Sequence, residues 1–198
     1  MSRTLAYLFA MSWGAAAALL TFALCQPVRR RKQTAKSVVS SRCRETALAL
    51  FWMFCGGMAV ITLTPRWAVW AMIDLVNHGI WNAGGYPFFA WGDVNLIPFQ
   101  TFAADAHSLY ILIGNLVMFL PFGFFAALLW RGMTLGRAAA AGLALTAAIE
   151  CWQLTVGRAF DIDDLLLNTL GVMAGYLLWR LADRLLPRRL TRLWVQSD

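Results

Sequence analysis

Apolar residues in this chain come in long runs free of charge, separated by short polar stretches. No charged residue lies between Arg3 and Arg29, from Thr46 to Pro65, or from Ser108 to Trp130. A fourth run, Ala138 to Val156, carries one carboxylate, Glu150. A fifth, Leu165 to Trp179, is shorter, but Arg180 can snorkel while Leu181, Ala182 and Leu185 extend its apolar face. A bilayer core of roughly 30 Å needs about 20 apolar residues in a helix. The pattern therefore predicts an all-α membrane protein, a bundle of about five transmembrane helices. Between helices 2 and 3, Arg66 to His107 is too polar and too broken by Asn82, Gly84, Gly85 and Pro87 to span. Its aromatics (Tyr86, Phe88, Phe89, Trp91) predict an extracytoplasmic interfacial or re-entrant segment.

Composition agrees. Of 198 residues, 60% are hydrophobic and 14% charged, whereas a soluble domain is about half apolar and a quarter charged. The net charge of +7 invites a nucleic-acid reading, but the basic residues follow topology and carry no recognition motif. Fourteen of the 17 Lys and Arg fall in the loop after the first span, the turn after the third and the C-terminal end. Asp74, Asp93, Asp105, Asp161, Asp163 and Asp164 fall on the other side. The positive-inside rule then puts the N-terminus outside and the C-terminus in the cytoplasm. The basic block follows the first apolar run instead of preceding it, so that run reads as a retained helix, not a cleaved signal. Cys25, Cys43, Cys55 and Cys151 lack metal or redox spacing. Three regions result: 1–45, the first helix and basic loop; 46–182, the main bundle; and 183–198, a basic tail.

Polar groups inside such a bundle need a separate account. Glu150 and Gln153 share a face of the fourth helix, and an ionisable group in a span is by default a functional candidate. The plainer role is an interhelical hydrogen bond that fixes packing. The turn Gly157-Arg158-Ala159-Phe160-Asp161-Ile162-Asp163-Asp164 crowds three carboxylates and a guanidinium. Asp161 or Asp163 can cap the fifth helix, with Arg158 as counter-ion. With Glu150, Asp161 and Asp164 are candidate ligands for a divalent cation. Asn168 continues the Asp164 face, followed by Gly171-x-x-x-Gly175, a close-packing motif. On the third helix, Asn115 precedes Pro121, which predicts a kink. Asn95, Asn115, Glu150, Gln153, Arg158, Asp161, Asp164 and Asn168 thus sort to one end of the bundle, where they are expected to line a shallow, water-accessible hollow.

Asn95-Leu96-Ile97-Pro98-Phe99, Asn115-Leu116-Val117-Met118-Phe119-Leu120-Pro121-Phe122-Gly123, Glu150-x-x-Gln153, Gly157-Arg158, Asp161-x-Asp163-Asp164 and Asn168-Thr169-Leu170-Gly171 resemble the VanZ-like family of bacterial membrane proteins. The resemblance covers about Val94 to Tyr176. It implies a place in the cell envelope and an association with reduced susceptibility to teicoplanin-type glycopeptide antibiotics. It does not imply a reaction.

Two functions follow as expectations. In the first, the hollow binds a lipid-linked or glycan ligand of the envelope: Arg158 suits pyrophosphate or carboxylate, and the amides suit sugar hydroxyls. In the second, a metal-assisted enzyme acts on such a substrate, with Glu150 as general base. No Ser or Cys nucleophile stands at a recognisable spacing from a base, so the reading leans away from an enzyme. A carrier using Glu150 is weaker still, because no inverted repeat is visible. Membrane lipid is the remaining partner expected, through the basic cytoplasmic loops.

Overall fold

The structure is a computed structural model that describes residues 3–35, 38–81, 88–99, 106–186 and 196–197. Five long helices carry it: α1 (Arg3–Ala35), α2 (Arg42–Leu63), α4 (Ala106–Leu129), α5 (Leu135–Thr155) and α6 (Ile162–Leu185). A shorter α3 (Arg66–His78) follows α2. Two-residue strands complete the elements. Val38–Val39 (β1) pairs antiparallel with Gln196–Ser197 (β4), and Val94–Asn95 (β2) pairs parallel with Phe160–Asp161 (β3).

Local signals set several helix starts. Ser41 caps α2 by accepting from the Arg44 amide at 3.2 Å, and Thr134 caps α5 by accepting from the Arg137 amide at 3.2 Å. Asp161 caps α6, its Oδ1 taking the Asp163 amide at 2.9 Å. Gly79 ends α3 at φ 71°, the left-handed conformation that suits a residue without Cβ.

The long helices alternate in direction. Trp52 reaches Thr21 and Arg29 reaches Glu45, so α1 and α2 are antiparallel. Arg44 donates to the Leu129 carbonyl, which sets the start of α2 beside the end of α4. Asn115 meets Asp164, and Gly171 and Gly175 meet the α4 backbone at Leu116 and Leu120, so α4 and α6 run parallel. A Cβ on Gly175 would strike the Leu120 carbonyl, so this close approach requires glycine. Phe119, Ile149, Val172, Tyr176 and Met58 form the core where α2, α4, α5 and α6 meet. Pro121 lies inside α4, which continues through it to Leu129.

Four helices are long and apolar enough to cross a membrane: Tyr7–Gln33 of α1, α2, Leu112–Leu129 of α4, and α6. Only 17% to 33% of their apolar windows is buried within the protein. Trp13, Leu20, Leu24 and Leu181 are more than half exposed, a greasy exterior far beyond the few hundred Å² that a soluble monomer shows. The chain is a membrane protein. Of the five runs read as spans, the short fifth is among these four as α6, and the run Ala138 to Val156 is not. Its helix, α5, forms with 21 residues, but alanine dominates it and Glu150 and Gln153 interrupt it. At 13 residues α3 is too short to span. Tyr86, Asp105 and most of the basic tail lie outside the described residues.

Candidate functional site

One end of the bundle gathers all eight residues singled out by sequence, and divides them into two sets. The first closes the C-terminus of α2, whose last four carbonyls have no partner within the helix. Each is met by a side chain. Thr64 Oγ1 donates to Val60, Arg158 Nη1 to Ile61 at 2.8 Å, Gln153 Nε2 to Thr62 at 2.9 Å, and Trp152 Nε1 to Leu63 at 2.8 Å. Arg158 and Gln153 are therefore engaged on α2.

The second set is acidic. The Asp161 amide donates to Glu150 Oε2 at 3.1 Å. Asp161 Oδ2 accepts from Asn95 Nδ2 at 3.2 Å, and Asp164 Oδ1 accepts from Asn115 Nδ2. Arg158 lies within electrostatic reach of both Glu150 and Asp164. Asn168, one turn below Asp164, is buried, and its Oδ1 has no hydrogen-bond partner among the described residues.

Backbone pairing brings Asn95 here. Beyond the β2–β3 pair, Ala90 N donates to Thr155 O at 3.0 Å, Gly92 N to Leu154 O at 2.8 Å, and Phe160 N to Asp93 O at 2.8 Å. Residues 90–95 thus lie as a strap along the α5–α6 turn. Gly92 sits so close to Arg158 that a Cβ would strike its carbonyl. Leu96, Ile97 and Phe99, beyond the strap, are each more than 60% exposed.

Exposure differs across this end of the bundle. Glu150, Gln153 and Asn168 are buried, at 1%, 5% and 4% exposure, while Asn95, Asn115, Arg158, Asp161 and Asp164 are half-buried above them. Glu150 is bonded to the Asp161 amide at the α5–α6 turn and lies within electrostatic reach of Asp164 and Arg158. Among the described residues no group of three His, Cys, Asp or Glu side chains is placed to hold a metal ion. Oxygens of Glu150, Asp161 and Asp164 instead accept hydrogen bonds from amides.

Two residues escaped sequence reasoning. Asp163 is fully buried, and its Oδ1 accepts the Phe99 amide at 2.7 Å, anchoring the loop after the strap to the first turn of α6. Thr146, one turn before Glu150, is also fully buried, and its hydroxyl has no hydrogen-bond partner among the described residues. A threonine in an apolar run gives no signal of this kind. Asp163 did stand out as one of three neighbouring aspartates, but spacing alone does not say which of them turns inward.

A model of the VanZ/LLP1 family matches residues 47–183, extending to both sides of Val94 to Tyr176 and taking in α2 and α3. No curated protein and no solved structure matches the chain.

Proposed function

The chain belongs to the VanZ/LLP1 family, and from that premise we propose that it is an envelope protein whose polar end binds the sugar portion of a lipid-linked or glycan ligand. The observation that carries this reading is the rim of Asn95, Asn115, Asp161 and Asp164 above the buried Glu150. These groups sit together, half-buried, at the end of an otherwise apolar bundle. Four carboxylates, counting Asp163, face one guanidinium that already bonds to α2. Such a surface repels pyrophosphate and favours hydroxyl donors, because a carboxylate is acceptor-only and an amide both donates and accepts.

In this reading α5 crosses the bilayer with the four apolar helices, its polar face turned inward. The basic loops then lie in the cytoplasm and the carboxylates outside, as the positive-inside rule requires. The inner membrane of a bacterium supplies that geometry, and the family's association with teicoplanin-type antibiotics supplies the phenotype to measure. An enzyme on the same substrate would use Glu150 as base, yet Glu150 is sealed and bonded to the Asp161 amide. Binding without turnover is the better fit.

The test is binding of purified full-length protein to a lipid-linked cell-wall precursor in detergent, with the sugar-free polyprenyl pyrophosphate as comparison. Asn115→Ala and Asp164→Asn should weaken precursor binding by about tenfold, the effect of losing roughly one charge-assisted hydrogen bond. Tighter binding of the sugar-free lipid, or unchanged affinity in both variants, refutes the proposal. Conversion of the precursor to product, lost in Glu150→Gln, would establish the enzyme instead.

A further inference from the structure

Far from the carboxylates, the last turns of α1 and the first turn of α2 enclose a pocket of about 520 Å³. Small-molecule sites run from about 300 to 1,000 Å³, so its size suits a ligand. Its walls include Gln26, Arg29, Arg30, Gln33, Arg42 and Glu45, three guanidiniums against one carboxylate. That carboxylate is already occupied. Arg29 Nη2 donates to Glu45 Oε2 at 2.7 Å, while Ser40 Oγ and Gln33 Nε2 donate to Oε1 at 2.6 and 3.4 Å.

Arg29 is held from a second side, its guanidinium carbon 4.3 Å from the centre of the Phe22 ring. Its Nη1 is buried with no hydrogen-bond partner among the described residues, so the pair with Glu45 does not use all the donors of this guanidinium. The 22-residue helix α2 turns its positive end to the same place. All the walls precede residue 47, where the family match begins, so the feature belongs to this chain's own N-terminal part.

We propose that this pocket binds a phosphate ligand of net negative charge, the headgroup of an acidic phospholipid or free phosphate. Both helices that form it are apolar enough to span a membrane, which sets the pocket at headgroup level. The inference stands apart from the reading of the carboxylate end, since no residue is shared and either sidedness is compatible with it.

Native mass spectrometry of the full chain in neutral detergent tests it, with phosphatidylglycerol, phosphatidylcholine and inorganic phosphate as probes. The protein should retain phosphatidylglycerol in preference to phosphatidylcholine. Arg42→Gln should lower that retention about fivefold and Arg29→Gln by at least as much, as expected for one arginine at a membrane surface. Arg137→Gln, in the first turn of α5, should leave it unchanged. Displacement of the lipid by excess inorganic phosphate assigns the site to phosphate itself; retention assigns it to the headgroup. Equal loss in Arg137→Gln overturns the proposal in favour of diffuse surface charge, and equal retention of both lipids overturns it in favour of contacts that the zwitterionic lipid makes as well. Arg42→Gln spares the Arg29–Glu45 pair and decides the matter if Arg29→Gln fails to fold.

Discussion

Replacing Asp163 with alanine removes the acceptor that ties the loop after the strap to α6. Its carboxylate is fully buried and takes the Phe99 amide at 2.7 Å. A hydrogen bond to a charged group is worth about 1.5–3 kcal/mol net. Losing an acid from the first turn of a helix adds about 0.3–1 kcal/mol. Set against these is relief of repulsion, because Asp163 and Asp161 both act on Asp164. The balance is a loss of about 2–3 kcal/mol. At roughly 2–4 °C per kcal/mol for a chain of this size, Asp163→Ala should melt about 4–12 °C lower in detergent, followed by tryptophan fluorescence. Asp163→Asn keeps an acceptor oxygen and should lose about half as much, a neutral bond being worth roughly 0.5–1.5 kcal/mol. Hydrogen exchange at residues 94–99 should quicken in the same order. An alanine variant that melts with the wild type, or unchanged protection at Phe99, would show that the anchor contributes nothing and refute the reasoning.

Gly175→Ala should destabilise the protein by about 1–3 kcal/mol in the same melting assay, because the added methyl meets the Leu120 carbonyl and forces α6 away from α4. Gln153→Leu should cost about 1–3 kcal/mol by leaving the buried Thr62 carbonyl with only the 3.4 Å contact to Arg158. Combined with Arg158→Met, the loss should exceed the sum of the single changes, which a double-mutant cycle reads directly. Glu150→Gln should melt at or above the wild-type temperature, since the amide oxygen can still accept from Asp161 while a buried charge beside Asp161 and Asp164 disappears. In a cysteine-free background, a membrane-impermeant maleimide should label Ala159→Cys in intact cells and Lys32→Cys only after permeabilisation. The reverse pattern would invert the proposed orientation.

The long helices were legible because each is written around a long apolar run, free of charge but for Glu150 in the fourth, and bounded by arginine, aspartate or a capping hydroxyl. Leu181, Ala182 and Leu185 do extend the last helix to Leu185, as their spacing implied. The face shared by Asp164, Asn168, Gly171 and Gly175 was legible too, and it is the face turned to α4. What escaped is long-range pairing. Nothing in the spacing of Gln153 and Arg158 points to carbonyls more than 90 residues earlier. Nor does anything in Asp93-Val94-Asn95 announce that its backbone will pair with Phe160 and Asp161. Backbone groups are the same at every position, so their choice of partner is settled by packing. The helix α3 was hidden for another reason: the sequence from Arg66 to His107 is broken by polar residues, glycine and proline, and α3 takes up Arg66–His78 of it.

The closing of α2 by distant side chains has a consequence for biogenesis. When α2 first enters the bilayer, the groups that will bond to the Ile61, Thr62 and Leu63 carbonyls are not yet synthesised. Those oxygens must wait in hydrated surroundings until Trp152, Gln153 and Arg158 arrive. That end of the bundle is therefore assembled last, and a nascent chain halted before α5 would hold α2 with a wet, unfinished tip.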